Sequence, residues 1–304
     1  MRRRPGAGFR GAGQAGPPAG PQGDAPTRRR LLGAALAALS APPAVRAEEP
    51  ITLGLTPVFL DSDLALLNAI EGDLSNRLGV AVTLVKRRTY QEILAMLLAG
   101  QVTAAWICGF PFVRFRRQLS LLAVPVYKGA PLYEAYFIAA SEVPGAELVD
   151  FRGRTHAFSD PDSNSGWLVT RHLLAGLGTT PDGFFGRTFF TYGHRNVVRA
   201  EAAGLADCGS VDGYVWDVLA EREPALAGKT RTVFRSAPMG FPPIACLSTR
   251  RSTRPVAALG AALTGLSGDA AGRRILDLLR LDGFVGADPG LYDSIADRFR
   301  SLPS

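Results

Sequence analysis

The chain has 304 residues, 34 basic and 27 acidic side chains, a formal charge of +7 and a pI of about 9.7. The surplus is confined to one end: residues 1–47 hold eight Arg and one Asp, so residues 48–304 carry 26 charges of each sign and are neutral. A basic pI of this origin is no evidence for a nucleic-acid partner, and none is expected; the remainder is long enough to bury a substantial core in one or two lobes.

Residues 1–26 are rich in Gly, Pro, Ala and Arg and too poor in apolar side chains to build a core. Gly6, Gly8 and Gly11, then Gly11, Gly13 and Gly16, spell GxGxxG, but no strand pattern precedes either, so both are accidents of composition. Next come Thr27-Arg28-Arg29-Arg30-Leu31-Leu32, an apolar run over 31–41, and Val45-Arg46-Ala47. This is a charged segment, a short apolar segment and a small-residue cleavage site. The paired arginines resemble a twin-arginine export signal. The apolar run is too short for a permanent span, and no cysteine near the cleavage site provides a lipid anchor. The expected product is a periplasmic protein cleaved near Ala47.

After the leader, 51–55 reads as a strand and 64–78 as a helix, with Asp61, Ser62 and Asp63 as start signals. Strands are expected over 80–85, 102–107, 121–126 and 135–140, with a helix over 90–98 ended by Gly100. The pattern restarts near residue 151. Strands are expected over 155–158, 188–191 and 213–216, with helices over 166–177 and 196–204. Strands over 233–235 and 244–247 and helices over 259–266, 270–279 and 292–302 complete the chain. Strands alternating with helices, in two tandem units with a late return strand, imply a doubly wound α/β protein. Ligands of such sheets bind at the carboxyl ends of the strands.

One such end is Phe158-Ser-Asp-Pro-Asp-Ser163-Asn164-Ser165-Gly166-Trp167. Pro161 opens a turn and Ser163 is a good N-cap. The N–H groups of Asn164, Ser165 and Gly166 then lack intrahelical partners, serine hydroxyls stand beside them, and the helix dipole adds positive potential. That combination binds a tetrahedral oxyanion without a lysine. A solvated cap is the bland alternative for the decapeptide alone. Cys108, Cys208 and Cys246 are spaced unlike a zinc site; one disulfide with a free thiol, or three buried thiols, both fit an oxidising compartment. His156, His172 and His194 show no HxH or HxxxH spacing, so neither metal nor cofactor is expected.

Four segments in order resemble the phosphate/phosphite/phosphonate-binding periplasmic proteins of ABC importers. They are Tyr90-Gln-Glu-Ile through Gly100-Gln-Val, Ala105-Trp106-Ile-Cys-Gly109-Phe-Pro111-Phe112-Val, Asp160-Pro161-Asp-Ser163-Asn164-Ser165-Gly166, and Gly193-His194-Arg-Asn with Val211-Asp212-Gly-Tyr214-Val-Trp216-Asp217. The resemblance implies a type II periplasmic-binding-protein fold: two doubly wound lobes with a hinge, 48–138 and 243–304 forming one, 139–242 the other. It implies that Ser163, Asn164 and Ser165 hold the anion, that Tyr90 adds a phenol donor, that His194 donates to an oxyanion or balances its charge, and that Asp217 accepts from a protonated oxygen or an ammonium group. Cys108 and Phe112 would stand behind these. Asn164 replaces a usual threonine and Phe112 a usual tyrosine, which removes two hydroxyls.

The expected function is a non-enzymatic, monomeric receptor that captures a small oxyanion and delivers it to an ABC permease and ATPase. The alternative is a periplasmic sensor, of arsenite through Cys108 or of another oxyanion, that signals to a histidine kinase. An enzyme on the same fold lacks a supporting motif: GxSxG, HExxH and the P-loop are absent, and Gly228-Lys229 lacks the upstream glycine.

Overall fold

A computed structural model describes residues 15–18, 20, 49–57 and 64–302. By its contacts the chain divides into Met1–Ala47 and Glu48–Ser304. The expected export signal and the helix-start residues Asp61, Ser62 and Asp63 lie outside the described residues, apart from Ala15–Pro18 and Gly20 in the leader.

Two mixed sheets organise residues 49–302. Their strands are β1 Ile51–Leu55, β2 Val82–Lys86, β3 Ala104–Trp106, β4 Leu119–Val126, β5 Leu132–Tyr133, β6 Ala135–Ala140, β7 Thr155–Phe158, β8 Arg187–Phe190, β9 Cys208–Asp212, β10 Thr230–Arg235, β11 Met239–Gly240, β12 Ile244–Leu247 and β13 Gly283–Val285. The six-stranded sheet runs β13-β4-β12-β3-β1-β2 and the five-stranded sheet β10-β6-β9-β7-β8. The chain crosses from the first sheet to the second after β4 and returns before β12. The two crossing strands, β5 and β11, pair with each other antiparallel, Tyr133 opposite Met239. In each sheet the strands that feed helices run parallel, β1 with β2 and β3, β7 with β8 and β9. Their carboxyl ends therefore lie at one edge, where loops from both sheets meet.

Local chemistry explains the elements that carry those loops. Helix Tyr90–Leu98 starts in a capping box, Thr89 accepting from the Glu92 N–H while Glu92 accepts from Thr89. It stops where Gly100 turns left-handed at φ 67°. Helix Gly213–Arg222 starts at Asp212, whose carboxylate accepts from the N–H groups of Tyr214 and Val215. This corrects the strand expected over 213–216: the strand is Cys208–Asp212, and the β-prone Tyr-Val-Trp run is the first turn of a helix because a capping aspartate precedes it. Helix His194–Ala202 begins two residues earlier than expected, and the strands β5, β11 and β13, of three residues or fewer, carry too little pattern to be seen. Cys108, Cys208 and Cys246 are free, buried thiols. Among the described residues no helix is long and apolar enough to cross a membrane.

Candidate functional site

The segment after β7 is a tight turn into a widened first helical turn. Ser163 is the N-cap, with extended backbone, and its hydroxyl accepts from Gly166 N–H at 3.0 Å. The Leu168 N–H reaches back to Ser163 O at 3.0 Å, a five-residue π-type step over Asn164–Leu168 that leads into helix Val169–Gly176. The wide turn keeps Asn164, Ser165 and Gly166 facing inward, and all three are buried. A side chain on Gly166 would stand 1.8 Å from Ser159 Oγ, so only glycine lets the turn close over that serine.

The opposing wall comes from the other sheet and the crossing strands. Cys108, after β3, accepts the Asn164 N–H at 3.2 Å. The Asn164 amide donates to Tyr133 Oη at 2.8 Å and to Met239 Sδ at 3.3 Å, so both crossing strands orient it. Tyr90 opens its helix with a fully buried phenol 3.2 Å from His194 Nε2. The Asp212 N–H donates to His194 Nδ1 at 3.0 Å. Since Nδ1 accepts, the imidazole proton sits on Nε2 and is given to Tyr90 Oη. The phenol keeps its own hydrogen for another acceptor. Burial holds His194 neutral, its pKa pushed down to about 3. It therefore supplies no charge of its own, and acts through Tyr90.

Asp212 ends β9. One carboxyl oxygen caps the following helix, and the other, Oδ2, is buried with no hydrogen-bond partner. Burial pushes this carboxyl up to about 8. Ser159 Oγ, Asn164 Oδ1 and Ser165 Oγ are likewise buried and unpartnered. Cys108, Asp212 and Tyr133 all lie near enough to act on the Tyr90 phenol, which burial first of all keeps protonated. The site thus presents phenol, hydroxyl, amide and carboxyl groups.

The structure brings Tyr90, Ser163, Asn164, Ser165, His194 and Cys108 together. Asp217 is elsewhere: it sits in the middle of helix Gly213–Arg222 and accepts from Tyr127 Oη at 3.0 Å, Lys128 Nζ at 2.7 Å and Tyr136 Oη at 3.3 Å. Those three donors satisfy it, so the carboxyl at the strand end is Asp212 instead. Phe112 packs on the Tyr292 ring, 5.0 Å between centroids, as part of the core. Burial raises the Cys108 thiol to about 12, which leaves it a neutral thiol and not a soft thiolate ligand. Asp212, Tyr133, Ser159 and Met239 were not among the expected residues. Tyr133 and Met239 lie on two-residue strands with no periodic signal, whereas Asp212 was visible as an aspartate ahead of Gly213.

The family described as ABC transporter, phosphonate, periplasmic substrate-binding protein matches residues 53–292. The chain belongs to that family. It is a substrate-binding protein of the ABC-transporter class with a type II periplasmic-binding-protein fold. The phosphate-import protein PhnD of Mycolicibacterium smegmatis is 28% identical over 223 residues, covering 68% of this chain and 70% of the relative. A binding-protein component of an ABC phosphonate transporter from Pseudomonas aeruginosa superposes with a TM-score of 0.76 at 20% identity, over 82% of this chain and 85% of that one. PhnD1 of Prochlorococcus marinus, solved with methylphosphonate, gives 0.74 at 16% identity, over 83% and 98%.

Proposed function

We propose that this chain binds a small phosphorus oxyanion (phosphate, phosphite or a compact phosphonate) between two lobes and delivers it to an ABC permease and ATPase. The lobes follow the two sheets and are hinged on β5 and β11, so the boundary expected at 138 moves back to about residue 134, ahead of β6, which pairs in the second sheet, and the return moves to about residue 240. The protein is exported by a twin-arginine-type leader cleaved near Ala47 and acts as a monomer without catalysis. Tyr90, Ser165 and the Asn164 turn hold the anion, His194 orients Tyr90, and Asp212 takes the accepting role first expected of Asp217.

The observation that carries this reading is a set of buried oxygens lacking partners: Ser159 Oγ, Asn164 Oδ1 and Ser165 Oγ along one turn, and Asp212 Oδ2 at the end of β9. Buried polar atoms left unsatisfied are costly, and a tetrahedral oxyanion with one O–H satisfies a hydroxyl donor and a carboxyl acceptor together. The relative that imports phosphate and the neighbour holding methylphosphonate agree with this ligand class. Calorimetric titration of phosphate, phosphite, methylphosphonate and aminoethylphosphonate tests it. The parent is expected to bind at least one of them. Ser165→Ala should weaken that ligand by roughly tenfold to a hundredfold, the worth of about 1.5–3 kcal/mol for a hydrogen bond to a charged group. A parent that binds none of them, or a Ser165→Ala variant as tight as the parent, overturns the reading.

A further inference from the structure

Asp160 and Asp162 belong to the turn after β7, in the second sheet, and their side chains are held from the first. Gln91 lies in the opening turn of helix Tyr90–Leu98, after β2, and Arg114 closes helix Gly109–Arg114, after β3. The Gln91 amide gives one hydrogen to each carboxylate, to Asp160 Oδ1 and to Asp162 Oδ2, both at 3.0 Å. Arg114 pairs with the other Asp162 oxygen, Oδ1. Asp162 thus receives both of its side-chain hydrogen bonds from helices of the first sheet. The bond within the turn, from Asp162 N–H to Asp160 Oδ1 at 2.8 Å, keeps the two carboxylates side by side.

Acceptors and donors differ in their access to water. Asp160 is fully buried and the Asp162 side chain is 9% exposed, whereas the Arg114 side chain is 37% exposed and Gln91 is at the surface. Water can therefore replace these donors when the two sheets part, so the bonds are separable. They also share their backbone with the oxyanion site. Gln91 follows Tyr90, whose N–H reaches Asp160 Oδ2 at 3.2 Å, and Asp162 precedes the Ser163 cap. Any movement that brings Tyr90 to an anion on the Ser163–Ser165 turn brings Gln91 to the two aspartates.

We propose that Gln91 and Arg114, with Asp160 and Asp162, form a latch that closes over the bound oxyanion and sets how long it stays. The latch rests on the hinged, anion-binding reading above and gives it residues that hold the ligand without touching it. Bonds made only after the lobes meet slow their parting and leave the encounter with the open protein unchanged, so the effect falls on dissociation. Competition from water keeps it moderate, about tenfold. The test is stopped-flow tryptophan fluorescence with whichever of phosphate, phosphite or methylphosphonate the parent binds in calorimetry. A Gln91→Ala/Arg114→Gln variant should release the anion about tenfold faster, with association within about twofold of the parent. Adding Asp162→Asn to that variant should change dissociation less than about twofold, because its partners are already gone. An Arg114→Lys variant should dissociate within about threefold of the parent, since the pair uses one guanidinium nitrogen. Dissociation of the double variant equal to the parent's overturns the latch, as does a loss carried by association, which marks a deformed site. A further tenfold from Asp162→Asn overturns the pairing. So does an Arg114→Lys variant as fast as the double one, which assigns the effect to packing on Phe110 and Phe115. If the parent binds none of the three anions, the ligand reading fails and the latch with it; parent binding with unaltered variant dissociation removes only the latch.

Discussion

The Tyr90–His194–Asp212 chain shows how much one proton decides. His194 receives the Asp212 N–H on Nδ1 and gives its only proton to Tyr90, so the phenol hydrogen is left over for the proposed oxyanion. Tyr90→Phe should therefore weaken oxyanion binding about tenfold to a hundredfold. It should also lower stability by about 1–3 kcal/mol, because His194 Nε2–H is left buried without an acceptor. Denaturant melts and calorimetry on the same variant check both. Asp212 adds a pH dependence. Its Oδ2 meets an oxyanion favourably only if a proton lies between them, on the carboxyl or on the ligand. With the free carboxyl titrating near 8, methylphosphonate affinity should fall as pH rises beyond that value, since neither partner then carries the proton. Phosphate should resist the same change, because its dianion still has an O–H to donate. Titrations at pH 7 and pH 9 decide this, and a parallel loss for both ligands would contradict it.

At the scale of the element, the turn after β7 is tied to both sheets. Asp160, from the turn itself, accepts the Tyr90 N–H at 3.2 Å and the Gln91 amide at 3.0 Å, so a carboxylate from one sheet caps a helix of the other. Asp162 accepts from the same Gln91 amide at 3.0 Å and pairs with Arg114. The turn is held from below by Ser159, which Gly166 must approach without a side chain. Gly166→Ala is expected to cost about 1–3 kcal/mol of stability through overpacking. It should also weaken ligand binding at least tenfold, because Ser165 moves with the turn. Ser163→Ala should cost only about 1 kcal/mol, the usual worth of an N-cap. Melting midpoints and titrations of the two variants side by side test the ranking, which fails if Gly166→Ala melts and binds like the parent.

For the whole molecule, buried titratable groups set the pH range of stability. His156 and His194 are buried neutral, with pKa values lowered by burial. Their contribution is present above the ordinary histidine value near 6.5 and is lost as pH falls through the lowered values, about 3 for His194. Asp212 and Glu201 are buried with raised values. Their contribution is complete only below the ordinary carboxyl range near 4 and is lost as pH rises, through about 8 for Asp212. The two trends oppose each other between about 4 and 6.5, so the melting temperature should be nearly level there and decline on both sides. Thermal melts from pH 3 to 9 check the shape. Asp212→Asn should flatten the alkaline decline, and an unaltered slope would exclude Asp212 as its cause.

The sequence alone determined what depends on neighbours along the chain. Helices Leu64–Leu78, Tyr90–Leu98 and Ala270–Leu279 were legible because their apolar spacing, and for the first two the glycines that follow at 79 and 100, are local signals. The Ser163 cap was legible for the same reason, as a short side chain ahead of unpaired N–H groups. Tertiary structure decided what depends on pairing across the chain. Two aspartates flank Gly-Tyr-Val-Trp, and placing the strand at 213–216 made Asp217 the residue at its end; the sheet register, with Ala135 opposite Asp212, ends the strand at Asp212 instead. Tyr133 and Met239 became site residues only because two short crossing strands, more than a hundred residues apart, pair with each other. The tautomer of His194 was likewise invisible, since it is set by an N–H eighteen residues away that only the folded sheet brings within 3.0 Å.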